Sequence, residues 1–227
     1  MASRAIVVLF AAVAALAGVS CSSDDERPAP TAPERSEVQA ERCLVRLHGR
    51  SESGAEPVDA GDHAEVSPTG NDTAEGGFQW VYGTPDELAE ATDRVESWLD
   101  AVGCREVILN GFSNGGGLLG ALHCSGETFD GRVVGVVIDD PVPDDAVTDC
   151  GADPEVPVAV YWTGGLDRAV AGAACDDLGF TCAGERLLGI DAYAEALGSS
   201  VTASPHKAHE WYRQAPETTA WPDRDEG

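Results

Sequence analysis

Three apolar runs, EVILN (106–110), RVVGVVI (132–138) and VPVAVYW (156–162), follow one another along the chain with helix-length or turn-forming segments between them. A strand that is apolar at nearly every position must be covered on both faces, as in the middle of a parallel sheet. Strands that alternate with helical patterns point the same way. CLVRL (43–47) adds a shorter strand ending at His48-Gly49, FQWVYG (78–83) another, and SVTAS (200–204) a last one. The clearest helix spans 84–103. Thr84 is its N-cap, Pro85 stands at the first helical position, Glu87 completes a capping box and Gly103 stops it. Leu88, Ala91, Val95, Trp98, Leu99 and Val102 recur at helical spacing on one side. NGGGLLGALHC (114–124) and GERLLGIDAYAEALG (184–198) read as further helices, and the polar, glycine-containing stretch 50–76 as loop with room for an irregular helix. The expected class is α/β, a doubly wound and mostly parallel sheet, in one domain over 43–227.

What precedes residue 43 reads as export and tether. Arg4 and the apolar run 5–19 form a signal peptide over 1–20, too short for a spanning helix. Cys21 after Gly18-Val19-Ser20 resembles a bacterial lipobox, with Gly18 where leucine is usual. Lipidation of Cys21 would anchor the chain to a membrane, and ordinary signal-peptidase cleavage would release it as a secreted protein. Residues 21–42, rich in Ser, Pro and charge, make a flexible tether. Export suits the cysteines: of seven in the chain, Cys21 aside, Cys43, Cys104, Cys124, Cys150, Cys175 and Cys182 are an even set suited to disulfides. They lack zinc spacing, so no metal and no cofactor is expected. Fourteen basic against forty acidic residues, a formal net charge of −26, repel phosphate backbones and argue against nucleic acid as a partner.

In an α/β sheet function gathers at the loops beyond the carboxyl ends of the strands. Those ends hold His48-Gly49, Gly111-Phe112-Ser113-Asn114-Gly115, Asp139-Asp140, Thr163 to Asp167 and, past the last strand, His206 to His209. Serine, acid and histidine therefore occur in that chain order. Ser113 between a strand and a glycine-rich helix resembles the nucleophile elbow of the α/β-hydrolases. LHGR (47–50) is similar to their oxyanion-hole segment, VPVAVYWTGGLDRAV (156–170) to the strand that carries the acid, and HKAHEW (206–211) to the histidine loop. The resemblance covers 43 to about 212 and is nearest to small carboxylesterases of the dienelactone-hydrolase and polyhydroxyalkanoate-depolymerase type.

That resemblance implies a minimal, lidless serine esterase acting on small or polymeric esters through an acyl-enzyme. Ser113 is the nucleophile, His209 the base with His206 as alternative, and Asp167 the acid. Asp139 or Asp140, one strand earlier, is the rival acid, and Asp176 and Asp177 come third. The main-chain N–H groups of Asn114 and Arg50 form the oxyanion hole; Arg50's side chain is an alternative contact to substrate. His48 supports its loop and His123, inside a helix, is structural. The family's parallel neighbours also place Cys43 beside Cys104 and Cys124 near Cys150 at the end of the sheet away from the site, which leaves Cys175 and Cys182 to close a short loop. A thioesterase or acyltransferase would use the same three residues. A non-catalytic envelope lipoprotein that kept the fold is the alternative from another class.

Overall fold

The computed structural model of the chain describes residues 30–148, 150–151, 155–163 and 189–204. A seven-stranded sheet has the order β2-β3-β1-β6-β7-β8-β9. Its strands are β1 (Arg42–Leu47), β2 (Ala55–Asp59), β3 (Ala64–Ser67), β6 (Glu106–Phe112), β7 (Val133–Asp139), β8 (Val158–Trp162) and β9 (Val201–Ala203). All neighbours run parallel except β2, which is antiparallel to β3 at the edge. A separate hairpin joins β4 (Asp72–Ala74) to β5 (Gly77–Gln79). Among the described residues the helices are α1 (Pro85–Val102), α2 (Asn114–Cys124) and α3 (Ile190–Ala196), with a 3-10 turn over Asp145–Val147. This is the mostly parallel α/β sheet expected from the apolar runs.

Strand alternation sorts the core. Cys43, Val45 and Leu47 of β1, Val107 and Leu109 of β6, and Val136 and Ile138 of β7 point to one face. There they meet Val95, Trp98, Leu99 and Val102 of α1, Leu118, Leu119 and Leu122 of α2, and Tyr193 and Ala194 of α3. All three described helices thus pack on the same side. Leu44, Ile108, Val137 and Tyr161 form a smaller cluster on the other.

Helix α1 follows its sequence signals: the Glu87 N–H donates to the Thr84 hydroxyl, the Glu87 carboxylate takes the Thr84 N–H, and Gly103 closes the helix in the left-handed region. The segment 50–76 departs from expectation. It carries β2, β3 and β4, and no helix among the described residues. A disulfide links Cys43 to Cys104 across a sequence separation of 61, as the parallel pairing of β1 with β6 implies. In the chain-entropy view a loop that long stabilises the fold by about 4 kcal/mol. The expected Cys124–Cys150 disulfide is not formed, although the Gly151 N–H donates to the Cys124 carbonyl at 3.1 Å and holds the two segments together. Cys175 and Cys182 lie outside the described residues, as do the signal segment and Cys21.

Candidate active site

Strand order places the site. From β1 the chain crosses to the edge strand β2, comes back through β3 beside β1, then passes to β6 on β1's other side and continues outward to β7. The direction of winding therefore reverses between β1 and β6, and the loops leaving those two carboxyl ends diverge around a crevice. The loop after β1 starts at His48 and the turn after β6 is Ser113. Register sets them level, with Leu47 opposite Gly111.

Ser113 has φ 51° and ψ −115°, a backbone that L-residues avoid and that costs roughly 1–3 kcal/mol. It is held from three sides. Its N–H donates to the Asp139 carbonyl at 3.0 Å, and its own carbonyl accepts from Gly117 at 2.9 Å and Val142 at 3.2 Å. The glycines expected to relieve crowding do so. A Cβ on Gly111 would stand 2.5 Å from the Gly115 carbonyl oxygen, and one on Gly115 would collide with that of Leu47 and lie 2.6 Å from that of His48. The first turn of α2 thus sits directly against the end of β1. The N–H groups of Asn114, Gly115 and Gly116, ahead of the first helical bond at Gly117, form its positive end.

The loop after β1 is built on a buried histidine. His48 Nδ1 lies 2.6 Å from the Gly49 carbonyl and its Nε2 accepts the Gly70 N–H at 2.9 Å. An acceptor at Nε2 and a donor at Nδ1 describe the neutral ring, and burial pushes its pKa below 6.5, partly offset by the bond to Gly49. With its ring 5.6 Å from that of Trp80, His48 supports the loop, as expected, and is no base for Ser113. On either side of Arg50, the Gly49 N–H donates to Glu52 at 2.8 Å and the Ser51 N–H to the Phe78 carbonyl at 2.9 Å.

Phe78 to Tyr82 cross the crevice as an extended strap, where the sequence pattern predicts only a strand. Phe78 N–H donates to the Glu52 carbonyl at 2.7 Å. The Trp80 N–H donates to Asn114 Oδ1 at 2.6 Å, and Asn114 Nδ2 donates to the Trp80 carbonyl at 3.0 Å. Asn71 treats Val81 the same way, at 2.8 and 2.9 Å. The Tyr82 hydroxyl donates to Asp144 at 2.9 Å, in space that a side chain on Gly117 would fill. Residues 78, 80 and 82 thus each reach a different loop of the site.

The rival acids are both described. Asp140 is fully buried at the end of β7, and its carboxylate accepts the N–H of Thr163 at 2.8 Å and the Thr163 hydroxyl in a short bond. Asp139 accepts the Ser204 hydroxyl at 3.1 Å, and Ser204 follows β9 at the entry to the histidine segment. Asp167, Asp176, Asp177, His206 and His209 lie outside the described residues. His123 is buried within α2, consistent with a structural part. Among the described residues no cluster of His, Cys, Asp and Glu is placed to hold a metal ion.

No protein-family model and no curated protein matches the chain. Among solved structures it is similar to a protein of unknown function from Agrobacterium tumefaciens, at 15% identity over 80% of this chain and 89% of that one, with a TM-score of 0.46. It is similar to esterase B from Lactobacillus rhamnosis at 13% identity, 78% and 70% coverage and a TM-score of 0.40. A bacterial brefeldin A esterase, a homologue of human hormone-sensitive lipase, aligns at 25% identity over 48% of this chain and 34% of that one, with a TM-score of 0.28.

Proposed function

We propose that the chain is a serine carboxylic-ester hydrolase whose nucleophile is Ser113. The observation that carries this is a buried serine at positive φ, at the switch point of the sheet and at the N-terminus of α2. A tight turn alone is made more cheaply with glycine, so a serine kept in a strained backbone is the mark of a hydroxyl held in place. In this reading His209 takes the Ser113 proton while Oγ bonds to the ester carbonyl carbon. The Asn114 and Arg50 N–H groups receive the oxyanion. The carbon–alkoxide bond then breaks and the alcohol leaves with the proton from His209. Water, deprotonated by the same ring, cleaves the acyl-enzyme and restores Ser113. Asp167 orients the imidazole. Asp139 is the second reading for that acid, favoured by its bond to Ser204. The substrates are small or polymeric esters, and the signal segment with Cys21 suits an enzyme exported to the cell envelope.

A fluorophosphonate probe tests the reading. Wild-type protein is expected to label and Ser113→Ala not, with 4-nitrophenyl acetate turnover falling at least about 10³-fold in the variant. Folded wild type that stays unlabelled rules the hydrolase out. Asp167→Asn is expected to lose most turnover; wild-type turnover there, with loss in Asp139→Asn, moves the acid to β7.

A further inference from the structure

Asn114 is an odd residue to open a buried, glycine-rich helix, since its amide competes with helical main chain and is better used as a cap. Here the side chain caps nothing in α2. It binds both polar groups of the Trp80 main chain instead, at 2.6 and 3.0 Å. That paired contact is what a neighbouring strand would supply, and Trp80 needs it, because the β4–β5 ladder ends with Gln79 opposite Asp72.

Two residues earlier, Phe78 makes the equivalent pair of bonds to the loop around Arg50, at 2.9 Å from Ser51 and 2.7 Å to Glu52. The strap therefore joins the two segments that carry the oxyanion donors through an extended spacer of two residues, roughly 7 Å long. One end is fixed to the Arg50 loop by main chain, and the other to the residue after Ser113 by a single side-chain amide.

We propose that the Asn114 side chain is a positioning residue: its amide, clamped on Trp80, sets the separation between the Asn114 and Arg50 N–H groups. The proposal rests on the serine-hydrolase reading above. An oxyanion hole works only with donors about 2.7–3.1 Å from the developing charge, so loosening one end of the strap weakens the transition state more than the bound ester.

The test uses the full chain with Asn114→Ala and Asn114→Leu, the second keeping bulk without hydrogen bonds. Thr84→Ala, which removes the cap of α1 far from the crevice, is the control for stability loss alone. With 4-nitrophenyl acetate, both Asn114 variants are expected to lose about tenfold to a hundredfold in kcat with KM within about twofold. Labelling of Ser113 by the fluorophosphonate should slow in proportion, and Thr84→Ala should keep wild-type kcat. If either folded Asn114 variant keeps kcat within about twofold of wild type while Ser113 still labels, the clamp is structural only and the proposal is overturned. A rise in KM at constant kcat overturns it equally. Wild type that never labels removes the hydrolase reading and this proposal with it, an outcome distinct from the other two.

Discussion

Helices α1 and α2 pack side by side on one face of the sheet, yet they obey different rules. Helix α1 has every local device: an N-cap with its reciprocal carboxylate, proline in the first turn, a left-handed glycine stop and a single buried stripe. Helix α2 has almost none. Its N-cap residue is Ser113 in a strained backbone with no side-chain capping bond, three glycines fill its first turn, and every residue from Gly115 to Cys124 is buried. Each interior glycine costs about 1 kcal/mol relative to alanine. These glycines are required by neighbours: the end of β1 against Gly115, the Tyr82 hydroxyl at Gly117 and the Tyr193 hydroxyl at Gly120. One helix is specified by itself, the other by what must come close to it. Local rules fail where the chain is shaped for the crevice.

Substitutions can break that contrast. Gly115→Ala gives the largest expected effect. Alanine would stabilise an ordinary helix interior by about 1 kcal/mol, whereas here it drives a methyl into the Leu47 carbonyl and should cost roughly 3 kcal/mol in urea unfolding. A stabilised variant would mean the elbow has more room than the contact implies. Ser113→Gly should act oppositely, gaining about 1–2 kcal/mol by relieving the positive φ while abolishing ester turnover. No gain in melting temperature would show that the serine backbone stores no strain. Smallest of the three, Thr84→Ala should cost about 1 kcal/mol, leaving turnover unchanged; a loss of turnover would mean that α1 is not the independent unit its caps suggest.

Apolar runs and capping residues made β1, β6 to β9 and α1 legible before any coordinates, because their signals are local and strong. The glycine spacing around Ser113 did the same for the elbow and for α2. Residues 50–76 were not legible as strands. β2 is short and exposed, contains Pro57 and carries Glu56 and Asp59, so it has neither the continuous apolarity of a central strand nor a clean alternation. The strap was read as a strand since FQWVY looks like one, but two of its residues pair with asparagine side chains, a tertiary solution with no local signature. Ser113, Asn114 and His48 stand where the glycines and the HG pair suggested. The expected pairing of Cys124 with Cys150 was right about neighbourhood and wrong about the bond: strand order predicts which segments meet, and sulfur geometry is finer than that.

The Cys43–Cys104 bridge has a mechanical side. It closes the chain between those residues into a ring that holds the Arg50 loop, the strap and the whole of α1. Tension applied to the chain ahead of Cys43 crosses the sulfur bridge to Cys104, two residues ahead of β6. The ring is bypassed, and its loops carry none of the load. Pulling on the N-terminal side would therefore strain the far end of the sheet before it could disturb the crevice.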